Sequence, residues 1–173
     1  MKLSTSVYAF ASLATLAHAN FDLYDIVDNG WKGFKVLDAE PRNCAHMFDA
    51  PKIDRRDDVS GNRVGVAWPS YKPEDQSSQI NRVEMHFQNV QGLYHWTIYG
   101  ADRTSDGRWP LKGVDDQVYG ECFRLPLTFD CPHEGDDWFD PKMVKFGFFE
   151  SGRHFRCLTE ITADQINASV REA

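Results

Sequence analysis

An all-β domain, an antiparallel β-sandwich or barrel with a short C-terminal helix and held by disulfides, is the fold class this sequence predicts. Three observations carry it. Two neighbouring segments alternate apolar and polar residues in one shared register, four cysteines follow an apolar leader, and only the C-terminus carries a clear helix-start signal.

The alternating segments are Val83-Glu84-Met85-His86-Phe87 and Tyr94-His95-Trp96-Thr97-Ile98, joined by the short connection Asn89-Val90-Gln91-Gly92. Paired as an antiparallel hairpin, they set Phe87 opposite Tyr94, Met85 opposite Trp96 and Val83 opposite Ile98 on one face. The other face holds Glu84 opposite Thr97 and His86 opposite His95. A slip of one residue would send every apolar side chain to the wrong face, so this register is well specified. A second hairpin is expected from Tyr119 to His133 around Pro126-Leu127, which places Cys122 opposite Cys131 at a separation a disulfide tolerates. Exclusion then pairs Cys44 with Cys157. A third hairpin is expected around Ser151-Gly152, with Phe148 opposite Phe155 and Phe146 opposite Cys157. Further strands are expected at Trp31 to Leu37 and Arg63 to Trp68, the latter after the turn-rich Asp57 to Asn62.

Thr162-Ala163-Asp164-Gln165 has capping-box spacing and starts a helix that should run to about Val170. A weaker helical turn is expected around Asn43 to Asp49. Pro69 to Gln79 reads as a surface loop rather than a linker, because the strands on either side belong to one core.

Residues 1–19 read as a secretory signal peptide: one basic residue, Lys2, a short apolar run, and the small-residue cleavage site Ala17-His18-Ala19. The run is too short to span a bilayer, so no membrane anchor is expected and the protein should be extracellular. The mature chain then covers 20–173 as a single β domain. The formal charge is -7 for the whole chain, and losing Lys2 with the leader makes it -8. Nucleic acid is therefore not an expected partner, since the basic residues are scattered and form no aromatic-basic patch. An oxidising compartment and an even cysteine count favour two disulfides over a metal site, and no CxxC pair is present.

The sharpest chemical constellation is the polar face of the first hairpin, where Glu84, His86 and His95 converge with Arg82 beside them. Opposed residues have Cβ atoms about 5 Å apart, close enough for two imidazoles and a carboxylate to share a divalent metal. The same trio also matches acid-base chemistry, and it is similar in residue types, though not in sequence motifs, to the carboxylate, histidine and arginine that fungal guanyl-specific ribonucleases carry on a curved sheet. Strand alternation alone puts some polar trio on an outer face, so the expected reading is a solvated surface with no catalytic residue, no cofactor and no metal. Two acidic clusters, Asp54, Asp57 and Asp58, and Asp136, Asp137 and Asp140, lack the alternating spacing of a calcium loop and read as solvated turns. His133 and His154 stand alone. The motifs of serine hydrolases, zinc proteases and phosphate-binding loops are absent. Asn167-Ala168-Ser169 is an acceptor sequence for N-glycosylation, inside the C-terminal helix.

Asn20-Phe21-Asp22-Leu23-Tyr24, Asp58-Val59-Ser60-Gly61-Asn62, Tyr94 to Tyr99, Phe155-Arg156-Cys157-Leu158-Thr159 and Thr162 to Asn167 together resemble a group of small secreted proteins of filamentous fungi. The resemblance implies an effector-like protein deployed against a host or competitor, and it carries no catalytic residues over. The expected function is binding of an extracellular or host protein or glycan, by a monomer. Two alternatives differ observably: a ribonuclease-like hydrolase needs Glu84, His86 and His95 in one concave pocket, and a sugar-binding module needs two or more of Trp68, Trp109 and Trp138 on one exposed face.

Overall fold

The computed structural model describes residues 20–28, 30–61, 63–70, 80–87, 95–132 and 148–171. The predicted leader, Met1 to Ala19, lies outside them. Among the described residues nine strands close into one barrel in sequence order: β1 (Asn20–Asp28), β2 (Trp31–Leu37), β3 (Ile53–Arg56), β4 (Gly65–Ala67), β5 (Arg82–His86), β6 (His95–Tyr99), β7 (Arg108–Gly113), β8 (Val118–Pro132) and β9 (Phe148–Thr159). β3 and β4 pair parallel, every other neighbouring pair is antiparallel, and β9 returns to pair with β1. Closure gives each of these strands a partner on both sides, and this is one way an all-β protein avoids edge-to-edge aggregation.

The β5–β6 register is the expected one. Val83 opposes Ile98, Glu84 opposes Thr97, Met85 opposes Trp96 and His86 opposes His95. Tyr94, the expected partner of Phe87, lies outside the described residues. Val83, Met85, Phe87, Trp96 and Ile98 point into the barrel and are fully buried. They meet Phe21 and Leu23 of β1, Phe34 and Val36 of β2, Trp68, Trp109, Leu111 and Phe155 in one continuous core. Each large side chain removed from water in this way contributes roughly 1.5–3 kcal/mol.

The hairpins expected at Pro126-Leu127 and Ser151-Gly152 do not form. β8 runs through the first and β9 through the second, and the two long strands pair with each other. Pro126 falls where the β8–β9 register shifts between Arg124 and Leu127, so the proline is absorbed by an irregularity instead of making a turn. Gly152 lies opposite Thr128 on one side and Asp25 on the other. A ladder on both sides of β9 outweighs the local turn preference of Ser-Gly.

This corrects the disulfide pairing. Cys122 sits opposite Cys157 in the β8–β9 register and is bonded to it, with Cα atoms 4.0 Å apart, not to Cys131. Cys44 is disulfide-bonded as well, and its expected partner Cys157 is taken.

A second, smaller core lies outside the barrel. Helix α1 (Cys44–Asp49) is capped by Asn43, whose Oδ1 accepts from the His46 amide at 2.9 Å, and it covers the outer faces of β1 and β2. Tyr24, Ile26, Leu37, Met47 and Ala50 are buried there. Lys35 is buried among them, and its Nζ donates to the Met47 and Phe48 carbonyls at 2.7 and 3.1 Å, holding the end of α1. Burial pushes its pKa down to about 8.

Helix α2 (Ala163–Arg171) starts as the sequence predicts. The Gln165 amide donates to Thr162 Oγ1 at 3.1 Å, and Gln165 Oε1 accepts from the Thr162 amide at 2.9 Å. Ile161, Ala163 and Ile166 join the barrel core.

Candidate functional site

The polar face predicted for the first hairpin exists, and it is drier than a solvated surface. His86 is 2% exposed and Thr97 6%, while Glu84 and His95 are half-buried. The cross-strand register brings the two imidazoles edge to face at 5.5 Å between centroids, with Nδ1 of His86 3.3 Å from Nδ1 of His95. One Nδ1 carries the proton in this contact and the other accepts it. Burial, and secondarily the neighbouring His95, lower the pKa of His86, so its neutral form is favoured. Glu84 is directed to a different partner, Arg82, at 3.4 Å. Among the described residues no group of three His, Cys, Asp or Glu side chains converges to hold a metal. The structure therefore brings His86 and His95 together and leaves Glu84 with its arginine.

The other predicted residues separate. Asp54 pairs with Arg56 at 2.9 Å, while Asp58 accepts from the Ser60 amide and hydroxyl and pairs with Arg63 at 3.0 Å. Those bonds to Ser60 hold Asp58 below the usual carboxylate range. Trp68 and Trp109 are 1% and 6% exposed in the barrel core, so they offer no stacking platform to a sugar. Trp138, Asp136, Asp137, Asp140, Phe146 and His133 lie outside the described residues, as does the side chain of His154. Asn167 faces β2, where its Nδ2 donates to the Val36 carbonyl at 3.0 Å.

A groove of about 460 Å³ opens where β8 begins and β9 ends. It is lined by Val118, Tyr119, Gly120 and Glu121 at the start of β8 and by Leu158, Thr159, Glu160 and Ile161 at the end of β9 and just beyond it. The floor is close-set backbone: Gly120 lies opposite Thr159, and a Cβ there would collide with the Leu158 carbonyl. Thr159 Oγ1 adds a link between the two strands by donating to the Tyr119 carbonyl at 2.8 Å. Tyr119 is itself fixed, its ring over Gly113 and its hydroxyl donating to Asp115 at 2.6 Å. Val118 is 60% exposed and Val114, in the turn just before it, 73%. The groove's two carboxylates are Glu160 and Glu121, the latter joined to Arg108. The size falls within the range of small-molecule and peptide-side-chain sites. A second concavity, of about 10 Å³ beside Asp25 and Arg55, has room for a single water.

No family model, curated protein or solved structure matches this chain.

Sequence reasoning did not find the groove, because it lies against two strands whose pairing was misassigned. One signal was present: Val118-Tyr119-Gly120-Glu121 puts a glycine between an aromatic and a carboxylate inside a strand, a mark of close backbone approach.

Proposed function

We propose that this protein is secreted and acts outside the cell by binding rather than by catalysis, through the groove between the start of β8 and the end of β9. Its occupant is a cationic segment with apolar side chains, carried by a protein of a host or competitor, and the resemblance to small fungal secreted proteins favours the effector-like role. The observation that carries the reading is the groove itself: an open site of about 460 Å³ with an exposed Val118 at its mouth and Glu121 and Glu160 as its charged groups. The net charge, -7 for the whole chain and more negative by one once Lys2 is lost with the leader, adds a long-range field of the same sign, which attracts basic partners and repels phosphate backbones. A closed barrel, pinned by Cys122–Cys157, keeps the groove pre-formed, and this lowers the ordering cost of binding.

The test is the affinity of the folded protein for a fluorescent peptide of alternating lysine and leucine. The double variant Val118→Lys, Glu160→Lys should bind at least tenfold more weakly, about 1.4 kcal/mol, and added salt should weaken the wild type. Equal affinity of the two proteins removes the groove from the account. RNA or ester hydrolysis by the wild type that falls roughly 100-fold in both His86→Ala and His95→Ala replaces binding with catalysis.

A further inference from the structure

We propose that the facing Nδ1 atoms of His86 and His95 form a two-ligand site for a divalent cation of the zinc class, with water completing its shell. The argument begins with distance. Two imidazole nitrogens on a tetrahedral ion, each about 2.05 Å from it, stand about 3.3 Å apart. His86 Nδ1 and His95 Nδ1 are 3.3 Å apart. A square-planar ion with the same bond length would need about 2.9 Å, so a tetrahedral ion could replace the proton shared between the rings with less movement of either one.

Both ligands are pre-positioned by the fold. Their backbones are opposed in the β5–β6 register, and Met85 and Trp96, the adjacent pair on the inner face, are locked in the barrel core. His86 is 98% buried by its 2% exposure, so little rotamer freedom remains to be lost when the ion arrives. His95 is half-buried and supplies the open side through which the ion and its waters enter. Binding needs no net loss of a proton: the imidazole that donates from Nδ1 in the ion-free pair carries that proton on Nε2 instead, and both Nδ1 lone pairs then face the metal. Imidazole selects zinc, nickel or copper over calcium and magnesium, which take oxygen ligands. The bound ion would act as a clasp across the end of the β5–β6 hairpin.

Calorimetric titration of the folded protein with zinc chloride tests this. The expected result is one equivalent bound by the wild type, affinity at least tenfold lower in His95→Ala, and no loss in His46→Ala, which alters a distant histidine on α1. His95 is chosen because it is only half-buried and its removal spares the core. Cobalt(II) should give the intense visible bands of tetrahedral coordination. Absence of binding at millimolar zinc, retention of full affinity by His95→Ala, or faint octahedral cobalt bands would each overturn the site.

Discussion

Asp22 on the first strand and Arg156 on the last form a two-point ion pair across the seam that closes the barrel. Arg156 Nε and its terminal nitrogen donate to the two carboxylate oxygens at 2.7 and 2.8 Å, and the residues are opposed in the β1–β9 register. The Asp22 side chain has no exposure at all, whereas Arg156 keeps 24%. This geometry matters because a buried carboxylate is costly unless a fork of donors meets it.

Replacing Arg156 with Ala should therefore destabilise the protein by about 3 kcal/mol, the lower end for breaking a buried pair, since Arg156 is partly hydrated. Urea unfolding measures it. A loss within about 0.5 kcal/mol, as at an ordinary surface site, would show that the seam does not depend on the pair.

Peptide mapping without reduction should join Cys122 to Cys157. Cys44 is also bonded, and the sequence holds only one further cysteine, so its peptide should carry Cys131. Reopening Cys122–Cys157, which closes a segment of 35 residues, should cost about 4 kcal/mol on the chain-entropy estimate. A peptide joining Cys122 to Cys131 contradicts the β8–β9 register.

Trp96→Ala removes a fully buried indole that packs against Phe87 and Phe21. The expected loss is roughly 3 to 5 kcal/mol. A change below about 1 kcal/mol means that Trp96 does not face the core.

The β5–β6 hairpin was legible because each strand buries one face, so local alternation carries the register. The cap of Thr162 with Gln165 was legible because it involves residues three apart, whereas around Asn43 only a helical turn was expected and its cap was not. The long strands were not. Pro126-Leu127 and Ser151-Gly152 are turn signals taken alone, and only pairing with strands far along the chain makes them extended. β1 was missed for a related reason: Phe21, Asp22, Leu23 and Tyr24 are all buried, because the barrel lies on one side and α1 or Arg156 on the other, so the alternation is masked. The Glu84, His86 and His95 trio was visible as a shared face, but its division into a histidine pair and an Arg82–Glu84 pair depends on side-chain directions that spacing does not fix.

Acid should weaken the fold through His86. Its folded pKa lies below the unfolded value of about 6.5, so below that pH the unfolded chain binds the extra proton. The contribution is present above about pH 6.5 and is lost as pH falls from there toward the lowered folded value. Comparing urea midpoints near about pH 7.5 and about pH 5.5, the wild type should lose more stability than His86→Gln. Equal losses would assign the acid sensitivity to other groups.

The most direct test of the binding account is a map of backbone amide shifts as the lysine-leucine peptide is added to the folded, isotope-labelled protein. The account predicts the largest changes at Val118 to Glu121 and Leu158 to Ile161, with the outer face of β5 and β6 unmoved. Changes concentrated at His86 and His95, or scattered over the barrel with none in the groove, would contradict it.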